Sequence, residues 1–153
     1  MEIAEQKKKK DKQDLLKAEK ERDDFKRIGE ELKKTQVVVN EYVRKRDKFK
    51  PCISQNTPWQ EDFDAGHCFS VKSYPALRFD LDNIHGQSIN ANRFKEGDEQ
   101  NYIMNLPNRI GEEKTNSLIK RAKMSKRYDK RWTRYELKEI RAEIKLLSKL
   151  IDD

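Results

Sequence analysis

The first thirty-four residues carry too few apolar side chains to bury a core of their own, and this limits what the rest of the chain can build. Charged residues make up 41% of the sequence and apolar residues 34%, so any core is small and comes from the middle and the C-terminal end. Residues 2–34 read as a charged helix. Phe25, Ile28 and Leu32 fall at helical spacing, with Leu15 and Leu16 further back, and acidic and basic residues pair at i,i+4. That apolar seam is too sparse to define a coiled coil. It leaves a single long helix or a weak dimerisation arm, and with the latter a possible homodimer. Residues 1–34 are accordingly set apart as an arm from a domain over 35–153.

Charge is unevenly spread. Residues 1–50 hold 17 basic and 12 acidic side chains, 51–111 hold 5 and 8, and 112–153 hold 13 and 8. Basic arms around a mildly acidic centre suit a polyanion held by its phosphates, with carboxylates where a cation can sit. The plainer alternative is a solubilising surface. The two cysteines, Cys52 and Cys68, are too few for a disulfide framework and point to a reducing cytoplasm. No apolar run is long enough to cross a membrane, and the start, MEIAEQKKKK, lacks the apolar stretch of a secretory signal.

Gly29 is expected to loosen the first helix. A second helical segment over 35–49 carries Val38, Tyr42 and Val39 or Val43 on one face and Arg44, Lys45, Arg46 and Lys48 at a basic end, with Pro51 as its stop. A short strand at Cys52–Ser54 and an extended stretch over 62–71 suggest a hairpin. A loop follows, whose Leu77 and Phe79 dip into the core, and then a short helix from about Ile84 or Ser88 to Lys95, ended by Gly97. Residues 99–110 show helical spacing interrupted by Pro107, and another helix spans about 111–123. Thr133 with Glu136 forms a capping box, Trp132 and Leu137 a hydrophobic staple, and Leu137, Ile140, Ile144, Leu147 and Ile151 a stripe. That stripe packs on the domain or on helix 35–49, a dimer seam being the alternative.

The chemistry-bearing residues gather in 62–98. Cleaving a phosphodiester with a metal needs a base to activate water, a cation at the leaving oxygen and a grip on the phosphate. His67 can be the base. Asn83 can fix the backbone or orient His67. Asp64 and Asn92 can ligate an ion, and His85 is a further ligand or a phosphate contact. Arg78, Arg93 and Lys95 add positive charge nearby. Oxygen and imidazole donors suit magnesium, manganese or zinc. Taken alone, two histidines 18 residues apart are also what a core histidine and a helix-start residue would look like.

The runs QVVVNEYVRKRDKFKPCIS, DAGHCFSVKSYPALRFDLDNIHGQ and NLPNRIGEE, with a terminal helix like WTRYELKEIRAEIKLL, carry a resemblance. Over residues 35 to 150 the chain resembles the NinG (Rap) recombination proteins of lambda-like and related bacteriophages. The resemblance implies an α+β, mostly helical fold with a small ββα-metal (HNH-like) core at about 51–98, helices over 99–153 and a long charged N-terminal helix. It implies phage recombination in the cytoplasm of the infected bacterial host. It also implies endonuclease action on branched DNA such as Holliday junctions or D-loops. His67 would be the general base, Asn83 the central asparagine and Asn92 the helix ligand, with Asp64 and His85 close by. Mg2+ or Mn2+ is the expected cofactor. DNA contacts are expected from Arg44, Lys45, Arg46, Lys48, Arg78, Arg93 and Lys95, with branched or single-stranded DNA as the partner and no membrane.

The chain departs from that family at its zinc knuckle. Where the family has two Cys-x-x-Cys pairs, Cys52 is kept, but Gln55, Ser88 and Ala91 stand at the other three places, so no structural zinc is expected. Phe94 stands where the family often has a helix histidine, and Asp98 where it has asparagine. An apolar plug of Phe63, Phe69, Leu77, Phe79, Ile89, Phe94 and Trp59 is expected to replace the zinc. Three readings follow: a zinc-free nuclease, a catalytically weak or inactive DNA-binding recombination accessory, or an interaction protein working through its N-terminal helix.

Overall fold

The computed structural model describes residues 2–125 and 129–152. Helix α1 (Glu2–Arg46) leads to strand β1 (Asp64–His67) and strand β2 (Ile84–Gln87). One wide helical turn at Asn90–Phe94 follows, then α2 (Glu99–Ile110), α3 (Glu112–Ser125) and α4 (Arg134–Asp152). The architecture is α+β and mostly helical, with one two-stranded antiparallel ribbon among the described residues.

Helix α1 is continuous. Gly29 does not loosen it and the boundary at Lys34 and Thr35 falls inside it. A single glycine costs a helix about 1 kcal/mol against alanine, little beside the surrounding run of Lys, Glu and Leu. The side chains of residues 5–27 are all exposed, and contact with the body begins near Ile28 and Leu32. The helix stops at Arg46, earlier than Pro51 alone would require, because Asp47 turns its carboxylate inward to accept the Gly86 N–H at 2.9 Å.

The hairpin partner differs from expectation. β1 pairs with β2, Asp64 opposite Gln87 and His67 opposite Ile84. Residues 52–54 form no strand and touch β2 through one backbone bond, Ile53 N–H to the Gly86 carbonyl at 3.1 Å, and one side-chain bond, from the Gln87 amide to Ser54 Oγ. Ile84 therefore starts a strand, and helical geometry begins only after Ser88. Pro107 does not interrupt α2 either. It lies in the last turn, where the missing N–H leaves one carbonyl unpaired, and Gly111 at φ 89° then ends the helix.

The ribbon lies between two helical layers. Val39 and Val43 of α1 pack with Leu137 and Ile144 of α4, and Phe79 and Ile84 close that cluster. On the other side Tyr102 and Leu106 of α2 and Leu118 and Ala122 of α3 pack with Ile53, Cys68, Phe69 and Leu77. The stripe of α4 thus lies on the 35–49 part of α1, as one of its readings expected. Its capping box forms: Glu136 N–H donates to Thr133 Oγ1 at 3.2 Å, and Thr133 N–H to Glu136 Oε2 at 2.8 Å.

Candidate functional site

His67 ends β1 with its ring Nε2 2.8 Å from the backbone carbonyl of Arg78. A carbonyl only accepts, so Nε2 carries the hydrogen and Nδ1 keeps the lone pair. Burial lowers the His67 pKa, the Arg78 carbonyl opposes this, and the nearby guanidinium adds to the lowering. The imidazole is neutral at pH 7 and able to take a proton. The segment just before Arg78 is held by Asn83. The Asn83 amide accepts from Phe69 N–H at 2.8 Å and donates to the carbonyls of Phe69 at 3.0 Å and Leu77 at 3.1 Å. Wholly buried, it ties both ends of the 69–77 loop to the start of β2. Asn83 thus acts by fixing backbone.

Asp64 and Asn92 meet. The Asn92 amide donates to Asp64 Oδ2 at 2.9 Å, and Arg93 holds both carboxylate oxygens from Nε at 2.8 Å and Nη2 at 2.7 Å. Burial raises the Asp64 pKa, but these bonds outweigh it and hold the carboxyl below the usual carboxylate range. One carboxylate and one amide oxygen suit a hard divalent ion that completes its shell with water and phosphate. As they stand, Asn92 turns its amide nitrogen to Asp64 and Arg93 takes both carboxylate oxygens, so an ion would need Arg93 to release Asp64 and the amide to turn. Residues directly opposite in a ribbon share a face and neighbours along a strand alternate. Asp64 and Gln87 therefore lie on one face, and His67 and Ile84 on the other.

The four positions of the absent knuckle come together. Cys52 Sγ accepts from the N–H groups of Gln55 at 3.5 Å and Ser88 at 3.2 Å, and it lies 3.6 Å from Ser88 Oγ. Ser88 Oγ is 3.0 Å from Gln55 Oε1 and accepts from Ala91 N–H at 3.3 Å. Trp59 packs edge-on to Phe63 above Cys52 and Ala91. The plug is smaller than expected. Phe69, Leu77 and Phe79 serve the two helical layers instead, and Phe94 is 78% exposed because the turn that bears it points it at solvent.

His85 lies opposite Gly66, on the ribbon face of Asp64, but is turned to Tyr102. It is buried, its Nδ1 is 3.1 Å from Tyr102 Oη, and its Nε2 has no partner. Among the described residues no group of three His, Cys, Asp or Glu side chains is placed to hold a metal ion. The basic residues also separate. Arg93 is spent on Asp64, and Arg78 donates to Gln36 Oε1 at 3.1 Å. Lys45 bonds the Ser148 carbonyl and Asp152. Arg46 grips both Asp47 oxygens and the carbonyls of Leu81 and Ile84. Arg44, Lys48 and Lys95 are exposed, Arg44 donating to the Glu61 carbonyl. Three important residues were not singled out from sequence: Asp47, hidden within a basic run, and Tyr102 and Arg109, which read as ordinary helix text. Gln87 is a fourth, lying across Gly66 so closely that a Cβ there would collide with its amide.

The centre is a two-stranded ribbon followed by one helical turn, carrying a histidine, a structural asparagine and an Asp–Asn pair between helices, and its sequence places it in a class of bacteriophage proteins. The family model for bacteriophage lambda NinG protein matches residues 1–153, and the chain belongs to the NinG family. It is 39% identical to protein ninG of Enterobacteria phage H19B over 111 residues, 72% of this chain and 53% of that protein. It is 38% identical to protein ninG of Escherichia phage lambda over 112 residues, 73% and 52% of the two chains. With protein ninG of Salmonella phage P22 the figures are 38% over 112 residues, 73% and 53%. The chain spans about half the length of these relatives. No solved structure matches. Among the described residues no helix is long and apolar enough to cross a membrane.

Proposed function

We propose that this chain is a recombination endonuclease acting on branched DNA, Holliday junctions or D-loops among them, with His67 as general base. The observation that carries this reading is the His67 ring: one nitrogen fixed by a backbone carbonyl, the other bearing a lone pair, in a neutral imidazole. Asp64 and Asn92 would hold a Mg2+ or Mn2+ ion, which when bound neutralises charge on the phosphodiester. His67 accepts the proton of the attacking water. Asn83 keeps the loop, and so the imidazole, in place. Exposed Arg44, Lys48 and Lys95 contact phosphates.

A second reading, a DNA-binding recombination accessory that does not cleave, is favoured by two observations. Arg93 occupies both oxygens of Asp64, and Asp64 and His67 face opposite sides of the ribbon. One experiment separates the two. Labelled four-way junctions are incubated with Mn2+ or Mg2+ and the wild type or His67→Ala. The nuclease reading expects cleavage that falls by about 100-fold or more in the variant, the usual worth of a general base. Junction binding with no cleavage in either metal would give the accessory reading. Equal cleavage by both proteins would remove His67 from the role.

A further inference from the structure

The mechanism leaves His85 unused, and its position is unusual. Tyr102 has one hydroxyl hydrogen, and it goes to the Gly66 carbonyl at 2.8 Å. Tyr102 Oη must therefore accept from His85, so Nδ1 of His85 carries the ring hydrogen and Nε2 presents a bare lone pair. That Nε2 is buried without a partner in a residue only 1% exposed. Burial first, and then the charge of Arg46, hold the imidazole's pKa down to about 3. An unpaired buried acceptor costs free energy unless a ligand or water supplies a hydrogen.

His85 lines a cavity of about 490 Å³ between the end of α1, the start of β2 and the α2–α3 corner. Four cations line it: Arg46, Lys50, Arg109 and Lys114. Two carboxylates share the wall, but neither is idle. Asp47 is gripped by Arg46 and by the Gly86 N–H, and Asp82 is paired with Arg121 outside the cavity. Arg109 points a buried Nη1 with no hydrogen-bond acceptor, its nearest carboxylate oxygen being 3.7 Å away on Asp47. Lys50 and Lys114 are exposed at the rim, and Lys50 reaches Asp47 Oδ1 at 3.4 Å. Arg46 is spent on Asp47 and two carbonyls, so the cavity offers Arg109 Nη1 and Lys114 as spare donors, Lys50 as a partly engaged one, and one acceptor lone pair.

An internal phosphodiester has charge but no hydrogen to give. A phosphate monoester has both, because its second proton titrates near pH 6. We propose that this cavity binds a phosphate monoester, namely the terminal phosphate of a DNA strand. Arg109 Nη1 and the rim lysines take its charged oxygens and His85 Nε2 takes its P–OH hydrogen. The choice of DNA as the bearer rests on the reading of the chain as a branched-DNA protein; the chemistry of the pocket does not.

The test separates those two claims. Inorganic phosphate and sulfate are titrated into the full chain at about pH 6.5, where phosphate still carries hydrogen and sulfate carries none. Phosphate is expected to bind at least tenfold more tightly, the difference expected from one charge-assisted hydrogen bond. Lys114→Ala, an exposed change, is expected to weaken phosphate severalfold at unchanged melting temperature. The chain has two histidines, so ring nitrogen NMR reports directly: the His85 Nε2 resonance moves with phosphate and that of His67 does not. Equal binding of both anions, no binding of either, or a silent His85 overturns the pocket. Junctions with 5′-phosphate, 3′-phosphate or unmodified ends then test the bearer. Tighter binding of one phosphorylated form supports the proposal. If phosphate binds but neither modified end tightens the complex, the assignment to strand termini is overturned. If phosphate binds and no junction does, the branched-DNA reading fails while the pocket stands.

Discussion

A cation entering the proposed centre would have to part Arg93 from Asp64. Their contact is bidentate yet solvated, with 59% of the Arg93 side chain exposed, so it is a weak one. A divalent ion competes with it directly. Arg93→Ala is therefore expected to tighten Mn2+ binding without DNA by up to about fivefold, read as loss of the free Mn2+ paramagnetic signal. An unchanged affinity would take Asp64 out of the ion site. Asp47 makes a different prediction. Burial alone would raise its pKa, but the bonds from Arg46, the charge of Arg46 and the Gly86 N–H bring it down to about 2. An unfolded aspartate holds its proton below about pH 4. The stabilisation is thus complete above that value and drains away as pH falls through about 2. Its size is about 2 kcal/mol. Urea midpoints of wild type and Asp47→Asn should differ at neutral pH and converge in acid. A gap that persists in acid would mean that packing, and not charge, holds Asp47 in place.

The elements differ in how openly the sequence announces them, and the knuckle shows why. Helix α4 was legible because its code is local: Thr133, Glu136 and the staple lie within six residues of one another. The β1–β2 ribbon was not, since pairing residues 64–67 with 84–87 depends on a loop pinned by Asn83, and no periodicity reports that. His67, Asp64 and Asn92 were readable as residue types in order, whereas the turning of His85 toward Tyr102 came only with the register. The knuckle lies between these cases. Its positions were visible as departures, but that they converge without zinc is a fact of packing. Cys52 Sγ and Ser88 Oγ are 3.6 Å apart, close to the edge of about 3.8 Å that four sulfurs about 2.3 Å from a zinc ion would span. Chelators are expected to leave the wild-type melting temperature unchanged. Gln55→Cys, Ser88→Cys and Ala91→Cys together should bind zinc tetrahedrally and acquire a chelator-sensitive melting temperature. A triple variant indifferent to EDTA would show that the hydrogen-bonded plug is not a substitute for the ion.

At the scale of the whole molecule, the long exposed arm and the packed body are built differently. The body closes without residues 5–27, whose side chains all face solvent, while Glu31 already ion-pairs with Arg141 of α4. A chain beginning at Ile28 should therefore melt within a few degrees of the full chain. The lysines of QKKKKDK are the densest run of charge in the arm and stand clear of the body, so their expected role is to neutralise DNA phosphates. For every phosphate that the shortened chain no longer neutralises, the slope of log affinity against log salt falls by about 0.9. The shortened chain should then bind four-way junctions more weakly at low salt and with a shallower slope, the two proteins converging as salt is raised. Sedimentation of both chains tests the competing role. Leu15, Leu16 and Phe25 are exposed on the same helix, and if they form a seam between two copies, shortening will turn a dimer into a monomer. An unchanged salt slope together with that change in mass would assign the arm to self-association and leave DNA contact to the body. A shallower slope at constant mass would place the arm on the DNA.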